Sequence, residues 1–106
     1  MSVSTEVTAE TRWETALSAR YMAQLCKHFA HRLRVTLNER DGQIAFEGGV
    51  CDLWAEPDAL RMRLTAADEE QSARLQGVVV RHLQRFAFRD MTEEQAAALP
   101  WVKVAA

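Results

Sequence analysis

The chain has little of several things that chemistry often needs. In 106 residues it carries two cysteines, Cys26 and Cys51, and two lysines, Lys27 and Lys103. Both cysteines lie inside apolar patterns, which fits reduced, core-type thiols of a reducing compartment, although a disulfide between them stays open at the level of sequence. Lys27 is expected on the solvent side of a helix and Lys103 in the tail, so neither suits a desolvated Schiff-base lysine. No basic field exists, because the formal net charge is −2. That argues against non-specific nucleic-acid binding, which needs clustered Lys and Arg to neutralise phosphates. No apolar run reaches the length needed to cross a bilayer. The opening MSVSTEVTAETRWE is polar and acidic, without the basic start and apolar stretch of a signal peptide. A cytoplasmic location is the expectation. With four glycines, the adjacent pair Gly48-Gly49 reads as a turn between strands, not as a phosphate-cradling loop at a strand-to-helix junction.

What is present is ordinary for a globular domain: 48% hydrophobic and 26% charged residues, enough chain for one domain (residues 1–106) with a core that needs no staples. The most organised stretch is Asp68 to Arg89, expected as one amphipathic helix. Leu75, Val78, Val79, His82 and Phe86 recur at three- and four-residue steps and share a face. Acidic residues open the helix and arginines close it, as its dipole favours. An earlier helix is expected over Ser18 to Leu33, with Met22, Leu25, Cys26, Phe29 and Leu33 inward, Tyr21, His28 and Arg32 along one flank, and Arg20, Gln24, Lys27 and His31 toward water.

Between the helices lie four strand candidates: Arg34–Asn38, Gln43–Glu47, Val50–Glu56 and Leu60–Ala66. Arg40-Asp41-Gly42, Gly48-Gly49 and Pro57-Asp58 provide the turns. Short loops between successive strands imply an antiparallel meander. Residues 1–15 read either as an arm or as an edge strand. Thr92-Glu93-Glu94-Gln95 has the form of a capping box, so residues 90–106 are expected to form a short helix, ended by Pro100, and a tail that frays at its tip. The expected fold is therefore α+β: a four-stranded antiparallel meander with both helices on one face, in two layers, with an optional extra N-terminal strand.

Three constellations carry possible chemistry. The first is a polar groove between the helix flanks, where Tyr21, His28 and Arg32 face His82, Arg85 and Arg89, in line with Arg74 and Arg81. Such a groove suits a carboxylate or phosphate. The second is Cys26, Cys51 and His82, which face the core layer and have the ligand types for zinc or copper, or for thiol chemistry. His28 cannot join Cys26 on one metal, because two residues along a helix turn their side chains about 200° apart at roughly 100° per residue. The third is the other sheet face, where Trp54, Arg61 and Arg63 have the character of interface anchors, as in a homodimer. No cofactor is implied by any of them.

The segments ARYMAQLCKHFAHR (Ala19 to Arg32) and ARLQGVVVRHLQRFAFR (Ala73 to Arg89) resemble paired signatures of the bacterial domain-of-unknown-function family DUF2218. The matches are Arg20-Tyr21, Leu25 to His28 and His82 to Arg89, and the resemblance runs from about Thr5 to Met91. The resemblance implies a small stand-alone domain, with an accessory role near siderophore-interacting ferric reductases. The preferred expectation is a non-enzymatic module for a small anionic ligand or a protein partner. A thiol- or metal-dependent protein and a structural homodimer are the alternatives.

Overall fold

The structure is a computed structural model and describes residues 5–104. Strand β1 (Val7–Glu14) leads into helix α1 (Ser18–Phe29). Strands β2 (Arg34–Leu37), β3 (Asp41–Phe46), β4 (Gly49–Glu56) and β5 (Ala59–Ala66) follow, then helix α2 (Glu69–Phe86), helix α3 (Glu93–Ala97) and strand β6 (Val102–Lys103). The strands form one antiparallel sheet in the order β2-β3-β4-β5-β1-β6. The meander is present, but the sheet has six strands where the sequence suggested four with an optional N-terminal fifth.

Register explains the core. Cys51, Leu53 and Ala55 stand opposite Leu64, Met62 and Leu60, and these in turn face Ala9, Thr11 and Trp13 of β1. Side chains alternate across a strand, so all of these point to one face. Both helices cover that face. Met22, Leu25 and Cys26 of α1 and Leu75, Val79 and Leu83 of α2 are sealed from solvent against it.

The N-terminal segment is neither a loose arm nor an edge. β1 pairs with β5 over its whole length, from Val7↔Ala66 to Glu14↔Ala59, and β6 pairs outside it at Ala9↔Lys103 and Glu10↔Val102. The tail thus forms a short strand at Val102–Lys103, and Val104, at the start of the tip expected to fray, is still tied by its N–H to the Thr8 carbonyl at 2.8 Å. Residues 1–4 and 105–106 of the expected arm and tail lie outside the described residues. Thr11 is buried on the inner face, and its hydroxyl has no hydrogen-bond partner. An unsatisfied buried hydroxyl is costly, so Thr11→Val is expected to raise stability by about 1 kcal/mol in urea unfolding. A loss of stability would contradict that reading.

The first hairpin is shifted. Asp41-Gly42 is not a turn but the start of β3, and the reversal is made by residues 38–40. Gly42 faces inward, where a Cβ would lie 2.9 Å from Cys26 Sγ. The glycine serves close packing of α1, not a turn conformation. The one described glycine with positive φ is Gly48, at 93°.

Helix ends follow their chemistry. Asp68 caps α2 by accepting the Gln71 N–H at 2.8 Å. Thr92 and Gln95 form the expected capping box on α3. Ser18 opens α1 but caps nothing; its hydroxyl donates to the Glu56 carbonyl at 2.6 Å. Helix α2 stops at Phe86, short of Arg89, and α1 stops at Phe29, short of Leu33. The buried stripe of α2 is Ser72, Leu75, Val79, Val80 and Leu83. His82 therefore sits half-buried at the margin of that stripe, not in its middle. No helix of the described residues is long and apolar enough to cross a membrane.

Candidate functional site

Helices α1 and α2 lie side by side, and a seam opens where α1 ends. There a concavity of about 400 Å³ is lined by His28, His31, Arg32 and His82 over Phe29, Leu33, Phe46 and Val78. The three histidines of the chain all reach this one place. The His28 and His82 rings stand 5.0 Å apart between centroids. Phe29 lies 4.9 Å from His82 and 5.0 Å from Phe46, forming an aromatic floor, and Phe86 flanks His28 at 5.7 Å.

His82 is oriented by its own helix. Its Nδ1 lies 2.6 Å from the Val78 carbonyl oxygen. A carbonyl only accepts, so Nδ1 carries the proton and Nε2 is left for the groove, as an acceptor when neutral and a donor when protonated. His28 is exposed, and its pKa is lowered by partial desolvation, then by the like charges His82, His31 and Arg85 would present to an imidazolium. The groove is thus short of negative charge.

His31 is exposed, as expected, yet it also lines the concavity, which the sequence did not suggest. Helix α1 has already ended at Phe29; Ala30 caps it and the Arg32 N–H turns back to the Phe29 carbonyl at 3.1 Å. A helical projection carried past that point leaves His31 out of the groove it lines. The signal that could have found it is a helix end before Ala30-His31-Arg32, and none of the residue types there marks one.

The other expected groove residues go elsewhere. Tyr21 is buried, its ring 5.5 Å from Trp13 and its hydroxyl donating to Asp90. That bond and burial raise the phenol's pKa. Arg85 is near enough for its charge to act on His28, but it does not line the groove; it lines a second hollow with Arg81. Arg89 stands beyond the helix, 5.7 Å from the Phe88 ring. Arg74 is held by the Glu47 carbonyl at 2.8 Å and by Gln71.

Cys26 and Cys51 are free and fully buried. Burial pushes the Cys26 thiol up to about 11 and raises that of Cys51 further, so neither provides a thiolate near neutrality. Cys26, Cys51 and His82 do not gather as a ligand set: among the described residues no group of three or more His, Cys, Asp or Glu is placed to hold a metal ion.

On the outer sheet face, Trp54 lies under Arg61, whose guanidinium carbon is 4.1 Å from the ring centroid, with Arg63 at 5.7 Å. Glu10, from the strand that sequence left undecided, accepts from Arg61 and Arg63 at 3.0 Å each. The hydrogen bond from Arg61 is the main reason its carboxyl pKa is lowered. Arg12 extends the network to Glu56 and Asp58, at 2.8 Å each. The three expected interface residues are therefore adjacent and already engaged within the chain.

Comparison with known proteins agrees with this layout. The chain is similar to a solved structure described as the NMR structure of PA4090 from Pseudomonas aeruginosa, with 36% identity, 92% of this chain and 94% of that one covered, and a TM-score of 0.65. No curated protein matches it. Residues 10–95 match the family model described as "Uncharacterized protein conserved in bacteria (DUF2218)", and the chain, with both helices and most of the sheet inside that span, belongs to this family.

Proposed function

We propose that the chain is a non-enzymatic binding module whose α1–α2 groove holds a small ligand through an anionic group. The observation that carries this reading is the convergence of His28, His31, His82 and Arg32 on one aromatic-floored concavity. The guanidinium of Arg32 and, when the ring is protonated, the Nε2 of His82 can donate to a carboxylate or phosphate. Phe29 and Phe46 supply apolar surface for the rest of the ligand. An accessory role in iron or siderophore handling is part of the proposal; it rests on the fit of cationic donors to anionic chelators.

The pH dependence has a definite sign. In the empty protein His28 is harder to protonate than in the unfolded chain. Stability is therefore present above the unfolded value of about 6.5 and declines as pH falls below it. An anion in the groove favours the imidazolium, so binding takes up protons and strengthens as pH falls. Thermal melting with inorganic phosphate against chloride of equal ionic strength tests this. The phosphate-specific rise in Tm is expected to be larger at pH 6 than at pH 8 and to vanish in Arg32→Ala and His28→Asn. Equal shifts in chloride, or shifts unchanged in both variants, would overturn the groove. Ferric catecholate siderophores form a separate arm: no rise in Tm with them, beside an intact phosphate effect, removes only the iron link.

A further inference from the structure

The far flank of α2 carries a second, larger hollow of about 600 Å³, between α2, α3 and Trp101. We propose that it is a binding site for a planar apolar molecule bearing a single carboxylate. It shares no lining residue with the α1–α2 groove: Val78 and His82 line the groove, and Gly77, Val80, Arg81 and Arg85 line the hollow.

Three observations carry it. Arg81 and Arg85 lie one helical turn apart, both exposed, and among the described residues neither makes a hydrogen bond or an ion pair. Arg61 and Arg63 of the sheet face are engaged by Glu10 and Glu56, and Arg74 of α2 by the Glu47 carbonyl. Two unpaired guanidiniums at this spacing can both address one carboxylate, in the planar geometry that arginine favours. The facing wall is the half-buried Trp101 with Ala96 and Ala97, and Val80 lies beneath. An indole over small residues leaves a slot in which an aromatic ring can lie flat. Gly77 keeps the slot open beside Arg81, since a Cβ there would come within 2.8 Å of its guanidinium.

Glu93 on the rim decides the ligand's charge. With two cations and one carboxylate the lining has a net charge of about +1, which matches a monoanion better than a dianion. The capping box places Glu93 at the first turn of α3, so its position is set by local structure.

The test uses 2-naphthoate as probe, the neutral 2-naphthalenemethanol as control and NMR of the intact chain as readout. 2-Naphthoate is expected to shift the Trp101 indole N–H signal in a saturable way and to leave the His28 and His82 imidazole signals in place. Arg81→Gln with Arg85→Gln should weaken binding by about tenfold or more, the effect of losing charge-assisted hydrogen bonds. His28→Asn should leave it unchanged. Trp101→Leu should also weaken it, and an unaltered melting curve shows whether that variant still folds. Equal binding of the neutral control, shifts centred on the imidazoles, or no saturable shift at Trp101 would overturn the site. None of these outcomes bears on phosphate binding at the groove, so the two sites stand or fall separately.

Discussion

Gly49→Ala is expected to cost about 3 kcal/mol of stability, the upper end for overpacking a well-filled core. The added Cβ would meet the Thr65 carbonyl oxygen at 2.7 Å, Leu75 Cδ1 at 2.8 Å and Ala66 Cα at 3.1 Å. Two of those three atoms are backbone and cannot swing aside. Gly49 pairs with both Phe46 and Ala66, so relief requires opening a ladder or lifting α2 from the sheet. Thermal and urea unfolding would read the loss, with Tm falling by roughly 10–20 °C for a domain of this size. A change below about 0.5 kcal/mol, the level of an ordinary surface substitution, would show that α2 does not sit where Leu75 places it.

Gly42→Ala is the second large effect, about 2 kcal/mol, and it has a built-in check. Here the close neighbour is a side chain: Cys26 Sγ at 2.9 Å, with the Thr36 carbonyl oxygen at 3.3 Å. Cys26→Ala alone removes a buried sulfur and should cost about 1 kcal/mol for the small cavity. Together the two changes should cost at least 1 kcal/mol less than their sum, because the new methyl enters the space the sulfur leaves. Strict additivity would place Gly42 away from α1, and the hairpin would then turn at Asp41-Gly42 after all.

That hairpin shows where sequence is legible. Asp-Gly between alternating strands is a strong turn signal, but it is local. The demand that a glycine lie under Cys26 is tertiary and leaves no mark in the flanking residues. Strand β5 was readable because Leu60, Met62 and Leu64 alternate with Arg61 and Arg63, one face buried and one polar. Strand β1 alternates as well, yet its inward residues are Val7, Ala9, Thr11 and Trp13. Small and polar inward positions dilute the contrast, and Ala9 and Thr11 are nevertheless buried. β6 has two residues, too few for any period.

The cap of α3 was legible because Thr92 and Gln95 act through bonds only three residues long, whereas Asp68 was read as an acidic opening of α2 and not as its cap. The site was half legible. His28, Arg32 and His82 do meet at the α1–α2 seam. Arg85 does not join them, because α2 presents Leu75, Val79 and Leu83 to the sheet, and the helix is rotated from the stripe drawn through Val78, His82 and Phe86. That rotation turns Arg81 and Arg85 toward α3 and Trp101, where no pattern in the chain announces a hollow. It also leaves His82 at the rim with one ring nitrogen free.

The most direct measurement on the groove is an NMR titration of the imidazole signals of His28, His31 and His82 with and without saturating phosphate. Phosphate is expected to move all three sets of signals and to raise the pKa of His28 from its lowered starting value. Imidazoles that titrate alike in phosphate and in chloride of the same ionic strength would contradict an anion seated among them.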